Sequence, residues 1–138
     1  MPKLFGLNIV AVLAASVAFF IVGFLWYGVL FEQAWLAASG ITKEMVEAGD
    51  NSPVWMIGGF VITVMQVIGL ALVLKWKGAA SLGAAAKTAL ILWFLIALPF
   101  SCYGYFYSVA HSTTLLLIDA SHLLVGWVVS AIVLSFFK

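Results

Sequence analysis

The chain has 138 residues, 66% of them hydrophobic and 8% charged, with a formal net charge of +1. A water-soluble domain carries roughly 45–50% apolar and about 25% charged residues, and a core of this size cannot hide such an apolar excess. The mean hydropathy of +1.23 therefore describes an integral membrane protein, and excludes a disordered chain, a disulfide scaffold and a nucleic-acid-binding domain.

About 20 apolar residues cross a hydrocarbon core of about 30 Å. Four stretches qualify: residues 4–30, 53–76, 82–107 and 113–137. The expected fold class is all-α. Four transmembrane helices form a compact bundle, a single domain over residues 1–138, with a short amphipathic helix in the outer first loop.

The first span follows Lys3 and contains the small residues Ala14, Ala15 and Ser16. Its apolar run continues unbroken to Leu30, longer than a signal-peptide core, so it reads as a retained helix. Within it Asn8, Ala11, Ala15 and Ala18 recur at helical spacing. The first loop then offers a short helix over residues 40–49. Thr42 can cap it, Glu44 sits in its first turn and Gly49 can end it. Trp35, Leu36, Ile41, Met45 and Val46 supply its apolar side. Glu32, Glu44, Glu47 and Asp50 against Lys43 read as a solvated face.

The second span places Gly59, Thr63, Gln66 and Leu70 on one face, and the third opens on Gly83 to Ala86 and continues through Ala89. Such small-residue stripes let backbones approach closely, within one bundle or between copies. Pro99 lies well inside the third span and leaves the Leu95 carbonyl without its amide, so a kink is expected there. Ser101, Cys102 and Gly104 follow to relieve it. Cys102 is the single cysteine, so no internal disulfide forms. All cations are lysines, so no guanidinium fork exists for phosphate or carboxylate.

Lys3, Lys75, Lys77, Lys87 and Lys138 mark the chain ends and the second loop. By the positive-inside rule both termini and that loop face the cytoplasm. Lys87 snorkels. Trp26, Tyr27, Trp35, Trp55, Tyr103, Tyr105 and Tyr107 gather toward the outer face, against Trp76 at the inner one. They read as an interfacial belt, or as an outer docking or lipid-headgroup surface.

Asp119 is the one acid or lysine embedded in a span, and His122 shares its helix face. From Thr113 they lie about 9 and 13 Å deep at 1.5 Å per residue. Ionisable groups there are costly and face a partner or cavity. The pair is either a hydrogen-bonded lock between helices or a proton, ion or ligand site. Asn8 and Gln66 are read as the other deep amides, and together the four form a candidate intramembrane polar cluster. His111 falls in the outer third loop. Two histidines, one intramembrane aspartate and no cysteine cluster do not make a metal set, and a lone histidine beside an aspartate is not a recognisable ligand set for a pigment or haem. No metal or cofactor is expected.

Gly23-Phe24-Leu25-Trp26-Tyr27, followed by Leu30-Phe31 and Trp35, resembles the bacterial family called domain of unknown function 1761. Its hallmark is a Gly-x-Leu-Trp-Tyr run leading to Leu-Phe-x-x-x-Trp and a short helical loop, matched here by Gly40 to Glu44. The final span, Ile118 to Val125, resembles that family's last helix. The resemblance covers essentially the whole chain and implies a small four-helix protein of the bacterial cytoplasmic membrane. The family commonly has Ser-Pro after Trp-Tyr, where this chain has Gly28-Val29. It also carries a cation near the outer end of the first helix, where this chain has Glu32-Gln33.

Motifs for hydrolysis, phosphate binding and dinucleotide binding are absent. The expected function is therefore a non-catalytic accessory, scaffold or oligomer-forming subunit. It works among membrane lipids, with itself or a larger membrane complex as partner and no nucleic acid. The alternatives are a small proton-coupled carrier or channel using Asp119 and His122, and a lipid- or pigment-binding protein.

Overall fold

A computed structural model describes residues 3–49 and 52–137. Asp50 and Lys138, counted above among the charges, lie outside the described residues.

The chain opens on a small antiparallel hairpin, β1 (Lys3–Leu4) and β2 (Leu7–Asn8), with Lys3 opposite Asn8 and Leu4 opposite Leu7. Phe5 and Gly6 between them both have positive φ, 55° and 74°, as a two-residue hairpin turn requires. The first helix therefore begins at Ile9 and not at residue 4. Helix α1 (Ile9–Phe24) continues without a break into a π-helical segment, Leu25–Leu30. Asn8 is its cap: its side-chain oxygen accepts from the amides of Val10 at 2.9 Å and Ala11 at 3.3 Å.

Helix α2 (Glu32–Ser39) and helix α3 (Lys43–Ala48) fill the first loop. Gly40, at φ 71°, ends α2, with Ile41 N bonding Leu36 O at 2.9 Å. Thr42 caps α3 through Met45 N, and Gly49 closes it, as expected from the sequence. Helix α4 (Pro53–Lys77) starts on a Ser52 cap with proline in its first turn. It ends at Gly78 in a Schellman pair, Gly78 N to Lys75 O and Ala79 N to Leu74 O.

Helix α5 (Leu82–Leu92) passes through a second π-helical segment, Trp93–Ala97, into α6 (Leu98–Tyr107). The wide turn sits directly before Pro99. Ser101 Oγ donates to Ala97 O at 2.8 Å, satisfying one carbonyl in the disturbed stretch. Helix α7 (Thr113–Ser135) closes the chain behind a Ser112 cap. Four helical runs, Ile9–Leu30, Pro53–Lys77, Leu82–Tyr107 and Thr113–Ser135, are long and apolar enough to cross a membrane. This is an all-α multi-pass architecture.

Helix α7 is the hub. It packs on α1, α2, α4, α5, α6 and the second π segment, while α4 and α5 meet only marginally. The seams use small residues. Ala15 and Val67 are fully buried beside Phe19 where α1 meets α4, and Ala85, Ala89 and Ala131 are fully buried where α5 meets α7. The stripes through Ala11 and Ala15, and through Ala85 and Ala89, thus close seams within one chain. Buried hydroxyls mostly bond back within their own helix, Ser16 to Val12 O and Thr88 to Ala84 O, both at 2.7 Å.

Candidate functional site

The first π segment sets the site. Its wide turn is closed by Phe31 N on Trp26 O at 2.9 Å, an i to i+5 bond that adds one residue to the turn. That extra residue rotates Trp26 and Tyr27 relative to a regular helix. Both then reach α7. Trp26 Nε1 donates to Ser121 Oγ at 2.9 Å, and Ser121 Oγ donates to Ile118 O at 3.0 Å. The Tyr27 hydroxyl donates to Asp119 Oδ1 at 2.5 Å.

The second π segment does the same from the other side. Trp93 Nε1 donates to Ala120 O at 2.8 Å. Three aromatic donors from two interrupted spans therefore converge on residues 119–121 of α7.

His122 lies under this layer. Its ring meets Tyr27 edge-on at 5.0 Å between centroids and Phe19 at 5.5 Å. Gly23 makes room for it, since a Cβ at that position would stand 3.2 Å from His122 Nε2. Among the described residues His122 makes aromatic contacts and no hydrogen bond. Asp119 and His122 thus meet through Tyr27 and are not hydrogen-bonded to each other; the bond between helices is the one from Tyr27 to Asp119.

The other two amides lie elsewhere. Asn8 caps α1 at the far end of the bundle, so it is not a deep amide. Gln66 bonds Trp127 Nε1 through Oε1 at 2.9 Å and Ile62 O through Nε2 at 3.3 Å. It ties α4 to α7 at a level below His122 and does not touch Asp119.

The motif residues divide by exposure. Trp26, Tyr27, Phe31 and Trp35 are half-buried, with Trp26 against Phe31 and Tyr27 against Trp35. Leu25 and Leu30 are exposed. Trp26, Tyr27 and Trp35 contribute to a half-buried aromatic stack that ends on α7. Tyr103 and Tyr107 are exposed.

Outside this stack Tyr27, Trp35, Leu36, Val46, Glu32 and Glu47 line a cavity of about 470 Å³ shared with Lys43. The chemistry available is modest. A tyrosine hydroxyl and a carboxylate share one hydrogen bond beside an imidazole, and among the described residues no serine or cysteine side chain is hydrogen-bonded to that imidazole. Among the described residues no three His, Cys, Asp or Glu side chains gather as metal ligands. His111 bonds Tyr105 O at 2.7 Å in the third loop, away from His122.

Ser121, Trp93 and Trp127 belong to the site's framework but were not singled out by the sequence. A signal existed for the two tryptophans. Each sits in mid-span, where its indole N–H has to find an acceptor within the protein.

Comparison with curated proteins and with solved structures finds no match. A family model matches residues 10–135, nearly the whole chain and every residue of the aromatic stack. The chain belongs to the family described as protein of unknown function, DUF1761.

Proposed function

We propose that this multi-pass protein is non-catalytic and serves as an accessory, scaffold or oligomer-forming subunit of the bacterial cytoplasmic membrane, with both termini and the Lys75–Lys87 end inside. One observation carries the reading. Three pairs of intramembrane polar side chains tie one span to another: Tyr27 with Asp119, Trp26 with Ser121, and Trp127 with Gln66. Such bonds are worth roughly 0.6–2 kcal/mol each in a bilayer and fix how helices seat on one another. A conducting path needs polar groups in succession across the membrane, whereas Asn8 and Gln66 stand apart from Asp119. The partners this implies are membrane lipid and either further copies or a larger membrane complex, with no role for nucleic acid.

One feature favours the carrier reading. His122 has no hydrogen-bond partner among the described residues and lies against the Tyr27–Asp119 pair. Two measurements on the purified protein decide. Native mass spectrometry from nanodiscs should give a defined assembly. Proteoliposomes should pass no protons between about pH 5 and 8, the range in which an imidazole changes charge. A monomer with proton flux that is lost in an Asp119→Asn, His122→Gln variant would replace the subunit reading with the carrier.

A further inference from the structure

A second cavity lies at the opposite end of the bundle, where α1 begins and α4 and α7 end. It is an open groove of about 640 Å³. Its walls are apolar, including Leu7, Ala11, Ala71, Leu74 and Leu134, and Lys3 and Lys75 stand at its rim. The N-terminal hairpin forms one side. Lys75 is held there, because its Nζ donates to Gly6 O at 3.3 Å in the hairpin turn. Glycine suits this position: its φ is 74°, in the left-handed region, and a Cβ would displace the Lys75 ammonium from its place. An ammonium has three donors, so Lys75 keeps two for a ligand.

The charge around the groove is one-sided. Lys3, Lys75, Lys77 and Lys87 lie at this end, while the first loop at the other carries Glu32, Glu44 and Glu47 against Lys43. Lys77 is engaged with Thr88 Oγ1 at 3.0 Å, across the second loop. The groove is lined by residues at the ends of two candidate spans, Ile9–Leu30 and Pro53–Lys77, and the ends of a span in a bilayer meet the headgroup region. Basic pockets between helices at that depth recognise anionic headgroups, and an apolar trough below them accepts an acyl chain.

We propose that this groove is a binding site for one anionic phospholipid, its phosphate against Lys3 and Lys75 and an acyl chain along the Leu7–Leu74–Leu134 wall. The two parts act together. The lysines select charge, and the trough selects a molecule with a tail over a free anion. The site is independent of the Tyr27–Asp119 layer at the other end of the bundle.

The test compares phosphatidylglycerol, phosphatidylcholine and inorganic phosphate on the purified full chain, by native mass spectrometry and by thermal unfolding in detergent. Phosphatidylglycerol should add as one retained lipid and raise the unfolding temperature, with phosphatidylcholine and phosphate doing neither. A Lys3→Gln, Lys75→Gln variant should bind phosphatidylglycerol at least about fivefold more weakly. Lys87→Gln, at the same end but outside the groove, should bind as wild type. Equal retention of phosphatidylglycerol and phosphatidylcholine by the wild-type chain would overturn the proposal without any variant. So would stabilisation by inorganic phosphate alone, or an equal loss in Lys87→Gln.

Discussion

The Tyr27 hydroxyl donates a 2.5 Å hydrogen bond to Asp119 Oδ1 across 92 residues of chain, tying the end of the first span to the last helix. The carboxylate is only half-buried, and Tyr27 also carries the ring contact with His122. Removing the hydroxyl leaves the acid without this partner. Tyr27→Phe should lower stability by about 1–2 kcal/mol. Asp119→Asn should cost less, since an amide oxygen still accepts. In a double-mutant cycle, read by thermal unfolding in detergent, Tyr27→Phe and Asp119→Asn should be clearly non-additive. Strict additivity would separate the two residues.

Gly126 lies close against Phe19 in the bundle. A Cβ on Gly126 would overlap the Phe19 ring, which is 2% exposed and has nowhere to move. Gly126→Ala should destabilise by about 1–3 kcal/mol, the cost of overpacking a filled core. Adding Phe19→Leu should recover part of that loss. Gly69→Ala, where nothing stands within 4 Å, serves as the control and should be tolerated.

Gly23 stands over His122, at a separation where the neighbour has to yield by a few tenths of an ångström. Gly23→Ala should shift the imidazole ¹⁵N resonances of His122 and weaken its contact with Tyr27. Gly28→Ala, whose added carbon meets Phe24 at ordinary van der Waals distance, should leave those resonances unmoved.

Ser130 is fully buried, and its Oγ is the one buried side-chain polar atom among the described residues without a hydrogen-bond partner. An unmet hydroxyl contributes only its desolvation cost. Ser130→Ala should therefore match or exceed wild-type stability, by up to about 1 kcal/mol. Ser16→Ala loses a 2.7 Å bond to Val12 O and should not gain.

The lysines predict the orientation, with the second loop inside. In a Cys102→Ala background, a membrane-impermeant thiol reagent on sealed cells should label a cysteine at Val109, which is 98% exposed in the third loop. It should spare one at Ala80, in the lysine-flanked second loop. The reverse pattern would invert the topology.

Composition and hydropathy were enough to count the spans, because crossing hydrocarbon is a local demand that each stretch meets by itself. Local chemistry likewise determined the short helix between Thr42 and Gly49, since a cap needs only its own neighbours. The aromatic motif and the intramembrane Asp119 were both visible in the sequence. What joins them was not. Only the tertiary structure decided that Trp26 and Tyr27 turn inward to Ser121 and Asp119 while Asn8 caps a helix at the far end and Gln66 pairs with Trp127. That outcome rests on one extra residue in a helical turn at Leu25–Leu30 and on the seating of α1 against α7. Side-chain partners on different spans depend on rotation and register, which no local pattern of apolar residues specifies.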